Sequence, residues 1–78
     1  MRDGDLDGVF RLVWEFRLQY RYHPNWQVVH MGRNGKTVRI EYLALNLWLV
    51  TWWADTSDES FSYYQSIPVE LIRDFFAE

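Results

Sequence analysis

Few residues in this chain are spaced to do chemistry, and the first of them sit at its start. Asp3-Gly4-Asp5-Leu6-Asp7-Gly8 sets three carboxylates at alternate positions ahead of a glycine. That is the opening half of a calcium loop, in which alternate oxygens converge on the cation. The closing bidentate glutamate belongs where Trp14 stands, and Glu15 falls one residue late. The entering helix of such a loop has only two residues before Asp3 to occupy. Asp3, Asp5 and Asp7 are thus an incomplete calcium candidate, set against an acidic, flexible leader over 1–8.

His23 and His30 are the only histidines, too few for a histidine-rich metal site unless carboxylates join them. His30, placed near Arg39 and Glu41, has the chemistry of a general base, and a cross-strand polar contact is the plainer reading. Ser57, Ser60, Ser62 and Ser66 lie in or near a loop carrying Asp55, Asp58 and Glu59, with no nucleophile elbow around them. Gly32 and Gly35 belong to a hairpin rather than to a phosphate-binding loop. These residues lead us to expect no enzyme and no cofactor.

Charge is distributed unevenly. From Val9 to Tyr42 six bases (Arg11, Arg17, Arg21, Arg33, Lys36, Arg39) face two acids (Glu15, Glu41), a net +4. The remainder carries nine acids against Arg2 and Arg73, a net −7, so the whole chain stands at −3. Such asymmetry steers association with charged partners. Arg11, Arg17, Arg21 and Arg39 form a candidate basic face for phosphates, with Trp26 available to stack on bases.

What positions these residues must be a single small fold. Seventy-eight residues are too few for two cores, and 49% apolar with 19% aromatic content excludes disorder. The absence of cysteine excludes disulfides and thiolate metal sites and makes the cytoplasm the expected compartment. Nothing at the N-terminus has signal-peptide character, and the most apolar run, Leu43 to Ala54, is too short to span a membrane.

Phe10, Leu12, Trp14, Phe16, Leu18, Tyr20 and Tyr22 alternate with Arg11, Val13, Glu15, Arg17, Gln19, Arg21 and His23. Six of those seven alternates are polar, so the pattern predicts a half-buried strand over 9–22. Strands at 26–32 and 36–43 flank Asn34-Gly35, a pair suited to a two-residue type I′ turn. With that turn Met31 faces Val38, Val29 faces Ile40, His30 meets Arg39 and Val28 meets Glu41, leaving one face apolar and the other mixed. Residues 46–54 read as a central strand covered on both sides, with a buried helix over 43–54 as the competing assignment. A further strand over 61–65 precedes an amphipathic helix over 68–77, whose Val69, Ile72, Phe75 and Phe76 share one face.

The expected fold is therefore α+β: one domain over 9–78, with a four- or five-stranded antiparallel sheet and one C-terminal helix. A strand over 9–22 would span roughly 40 Å, whereas the helix covers about 16 Å. The sheet must then either bend into a barrel or show surplus aromatic surface to a homodimer partner or another protein. The stretch Phe61 to Phe76, a strand leading through Ile67-Pro68 into a helix, resembles the end of a Pur-type repeat, which is likewise four strands followed by a helix. The resemblance covers about a fifth of the chain and implies single-stranded nucleic-acid binding through the basic sheet face.

Two functions follow as expectations. The first is a protein-interaction module, an accessory or inhibitor protein of the kind phages and mobile elements carry, anti-CRISPR action included, which occludes a larger protein. Its anchors would be Trp48, Trp52, Trp53, Tyr63 and Tyr64, with Asp55, Asp58 and Glu59 as an acidic rim. The second is the nucleic-acid binder built on Arg11, Arg17, Arg21, Arg39 and Trp26.

Overall fold

A computed structural model of the chain describes residues 4–23, 25–32, 35–54 and 59–77. Helix α1 (Gly4–Gln19) is followed by four strands, β1 (Trp26–Met31), β2 (Thr37–Ala44), β3 (Leu47–Trp53) and β4 (Ser60–Tyr64), and then by helix α2 (Val69–Phe76). The strands form an open antiparallel sheet in the order β1-β2-β3-β4, each pairing with its neighbour in sequence.

The largest departure from the sequence reading is α1. The strand expected over 9–22 is helical to Gln19, and residues 4–8, expected to be a leader, are its first turns. Leu6, Phe10 and Val13 are buried at a spacing of four and three residues, with Val9 packed beside them. That is one stripe of a helix, and it recruits Val13, the single apolar residue among the polar alternates. Of the even-numbered residues that suggested a strand, Phe10 is buried and Phe16 packs on Trp26, while Leu12, Trp14 and Leu18 are exposed. Arginine stems cover part of this surplus, the Arg17 guanidinium lying 5.3 Å from the centre of the Trp14 ring. Without a 9–22 strand the sheet has four strands rather than five, and no closed barrel forms among the described residues.

The β1–β2 hairpin forms, but one residue out of the expected register. Val28 pairs with Ile40, Val29 with Arg39, His30 with Val38 and Met31 with Thr37. The Gly32 N–H donates to the Lys36 carbonyl at 2.8 Å, so the connection between the last paired residues is three residues long, not two. Gly35 takes a φ of 74°, the left-handed conformation that ends three-residue hairpin loops. A one-residue shift exchanges the faces of a strand. Val28 and His30 therefore turn inward, and Val29 and Met31 outward.

β3 is a strand, as expected, entered by a tight turn in which Asn46 takes a φ of 62°. Both helices pack on one face of the sheet. Val38, Ile40 and Tyr42 of β2 and Trp48 and Val50 of β3 supply the sheet's half of the core; Leu6, Phe10, Val13 and Ile72 supply the helical half. The two-layer build leaves the molecule only 17 Å thick along its shortest axis. At the α1 end an aromatic cluster joins the layers: Trp26 lies 5.3 Å from Phe16, 5.2 Å from Tyr42 and 5.7 Å from Trp48 between ring centres. The Tyr42 hydroxyl donates to the Arg21 carbonyl at 2.9 Å and ties the turn after α1 to the sheet. At the other end the Lys36 ammonium donates to the Phe75 carbonyl at 2.9 Å, in the last turn of α2, where a cation is favoured.

Ile72 is fully buried between α2 and the sheet. Ile72→Ala is expected to lower the unfolding free energy by about 2–5 kcal/mol. Tyr42→Phe, which removes one hydrogen bond, should cost about 1 kcal/mol. Urea unfolding followed by tryptophan fluorescence measures both.

Candidate functional site

The sheet face turned away from the helices can be read row by row across the strands. One row runs Gln27, Glu41, Leu49, Tyr63; the next Val29, Arg39, Thr51, Phe61; the third Met31, Thr37, Trp53. Strand alternation dictates the set, because partners in an antiparallel pair put their side chains on the same side. The opposite rows, such as Val28, Ile40, Val50 and Ser62, face the helix side of the sheet.

Much of this open face is apolar and accessible. Met31 is 74% exposed, Phe61 and Tyr63 are each 59% exposed, and Val29 is 50% exposed. Phe61 and Tyr63 stand two apart on β4 with rings edge to face, 6.2 Å between centres. At the middle of the face the Arg39 Nε donates to the Glu41 carboxylate at 3.2 Å. The Arg39 guanidinium also lies 5.1 Å from the centre of the Trp53 ring, so it is held by both a charge and an aromatic surface. The pair cancels its own charge. What remains is a neutral face on which Val29, Met31, Phe61 and Tyr63 are exposed, and clustered exposed apolar surface of this kind marks interaction sites.

The anchors expected from sequence divide between the two layers. Trp53 and Tyr63 lie on the open face. Trp48 is 2% exposed and belongs to the core, while Tyr64 is half-buried on the helix side. Trp52 is half-buried there too, its ring 5.1 Å from that of Phe75. Glu59 is exposed, and Asp55 and Asp58 lie outside the described residues. Val29, Met31 and Phe61, which the sequence reading passed over, complete the patch. The signal for the first two was Gly35: as the closing residue of a three-residue loop it sets the register that turns them outward.

The basic face is not assembled. Arg11 and Arg17 are on α1 and Arg21 follows it, in the layer opposite Arg39. Arg21 lies 4.9 Å from the Tyr22 ring centre. Trp26 is enclosed by Phe16, Tyr42 and Trp48, and its indole N–H is buried without an acceptor among the described residues. In the calcium candidate, Asp3 lies outside the described residues, Asp5 is in the first turn of α1, and Asp7 pairs with Arg73 at 2.9 Å. No group of three potential metal ligands occurs among the described residues. His30, expected beside Arg39, instead pairs with Val38 and packs its ring against Phe76, 5.0 Å between centres. No helix among the described residues is long and apolar enough to cross a membrane.

Truncation should separate the two kinds of aromatic. Trp48→Ala is expected to cost about 3–5 kcal/mol of stability, and Tyr63→Ala about 1 kcal/mol or less, both read from chemical denaturation. Comparison of the chain with protein-family models, curated proteins and solved structures returns no match.

Proposed function

We propose that the chain is a non-enzymatic protein-interaction module that uses its open sheet face to bind, and thereby occlude, a larger protein. The observation that carries this reading is the accessible apolar patch of Val29, Met31, Phe61 and Tyr63 around a self-neutralised Arg39–Glu41 pair. Aromatic anchors around a small polar centre are the usual composition of a protein interface. Two of the residues weighed for chemistry are held in other contacts, Asp7 by Arg73 and His30 against Phe76.

Exposed aromatics on a four-stranded sheet also suit single-stranded nucleic acid, which stacks its bases on such rings. That mode needs cations beside the rings to follow the phosphates. Among the described residues, the one arginine on the face is paired with Glu41, and Arg11, Arg17 and Arg21 sit in the other layer. The protein reading is favoured for that reason.

The test compares the tagged wild type with a Phe61→Glu/Tyr63→Glu variant in affinity capture from host lysate, with and without nuclease. One dominant protein that survives nuclease and is lost by the variant is the expected result, with affinity falling about 100-fold. Capture of that protein equally by both forms would place the interface elsewhere, and capture that collapses with nuclease would establish the nucleic-acid mode. Light scattering on the same two samples adds a check: a dimer present only in the wild type would assign the face to a second copy.

A further inference from the structure

The helix side of the sheet is closed over β1 and open over β4. Above β1, Phe16 packs on Trp26 and Phe76 packs on His30. Above β4, the inward residues Ser60 and Ser62 are too small to reach the helices, and only Tyr64 stands tall. A shallow, open groove of about 480 Å³ remains between β4 and α2, lined by Ser60 and Tyr64, by Leu71, Asp74 and Phe75 on one stripe of α2, and by Trp52. Leu71 is 51% exposed and Trp52 and Phe75 are half-buried, so the groove is largely apolar, with Asp74 the one carboxylate among its described lining residues.

β4 is also the edge of the sheet. Its Ser-Phe-Ser-Tyr-Tyr sequence contains no charge and no proline, the usual devices that stop another strand from pairing with an edge. Among the described residues, no backbone group of Ser60–Tyr64 bonds to backbone outside the β3 ladder.

We propose that this edge and groove together form a binding site for an extended segment of another protein, which adds to β4 as a fifth strand. Ladder hydrogen bonds to the β4 backbone hold the segment. Every second side chain then falls over the groove, against Leu71, Phe75 and Trp52, as period-two alternation requires. Apolar residues fill those positions, and a Lys or Arg among them meets Asp74, which pairs with no cation among the described residues. A second copy of this chain is the poorer occupant. It carries the same net charge of −3 and its own Asp74, so it brings acid to acid. The site shares β4 with the open sheet face, but it uses that strand's backbone and the helix side, away from which Phe61 and Tyr63 point.

The experiment selects a displayed library of random linear peptides, about ten residues long, on the intact wild-type protein. Enriched peptides are then titrated against wild type, Leu71→Arg, Asp74→Lys and an open-face variant on the far edge strand, Val29→Glu/Met31→Glu, each first shown by circular dichroism to be folded. The expected peptides alternate apolar residues and include Lys or Arg. Their affinity falls about tenfold or more with Leu71→Arg and with Asp74→Lys, and survives the open-face variant. Amide hydrogen exchange should slow in Ser60–Tyr64 when peptide is bound. Failure of the library to enrich, or peptides indifferent to both groove variants, would overturn the proposal. So would slowed exchange at β4 that rises with protein concentration in the absence of peptide, because a second copy would then hold the edge. Peptides lost only with the open-face variant would leave the open-face interface standing and remove the groove.

Discussion

One-sided burial of the sheet is the constraint on which the rest of this structure depends. Along β2 every second side chain, Val38, Ile40 and Tyr42, is fully withdrawn from water, while Arg39 and Glu41 between them are not. Burying a side chain of this size stabilises the fold by about 1.5–3 kcal/mol, so the inward set dominates the choice of which face the helices cover. Two helices of 16 and 8 residues have enough apolar stripe for one face of a four-stranded sheet. The other face keeps whatever the alternation puts there, and here that includes Met31, Phe61 and Tyr63.

The same constraint explains the division of labour among the aromatic residues. Those that alternate inward join a continuous cluster linking α1 to the sheet, with Trp26, Tyr42 and Trp48 in mutual contact. The indole N–H of Trp26 is buried in that cluster without an acceptor among the described residues. Those that alternate outward have no intramolecular partner large enough to cover them. Arginine stems shield some, as at Trp14 and Trp53, and Phe61 and Tyr63 cover part of each other. The unequal reach of the helices produces the second feature of the surface, since α2 crosses the sheet short of β4 and leaves a groove beside an uncharged edge. Both features are products of a core too small to use all the apolar residues the chain carries.

Residues 26–77 were largely legible from the sequence because their signals were local. Asn34-Gly35 between two β-branched runs marks a hairpin, and Ile67-Pro68 ahead of Val69, Ile72, Phe75 and Phe76 marks the start and inner face of a helix. Of the candidate interface residues, Trp53 and Tyr63 were named because tryptophan and tyrosine favour interfaces wherever they are accessible. Trp48 was named for the same reason and lies in the core, since residue type does not say which way a strand residue points. The hairpin register missed by one for a related cause: Asn-Gly fits both a two-residue turn and a three-residue loop ending in glycine, and the choice exchanges inside and outside.

By itself, then, the sequence determined that the chain folds, that it does so without disulfides, and that it has a meander of strands closed by an amphipathic helix. Each of these rests on short-range chemistry: composition, turn residues and the periodicity of a single element. Only the tertiary structure decided that residues 4–19 are a helix. Their apolar residues fit a period of two as well as a helical stripe, and local pattern cannot rank the two. What separates them is the sheet, whose inner face buries Leu6, Phe10 and Val13 together as one helical stripe. The tertiary structure likewise decided which aromatics face water, because facing is a relation between strands and is written in no strand alone.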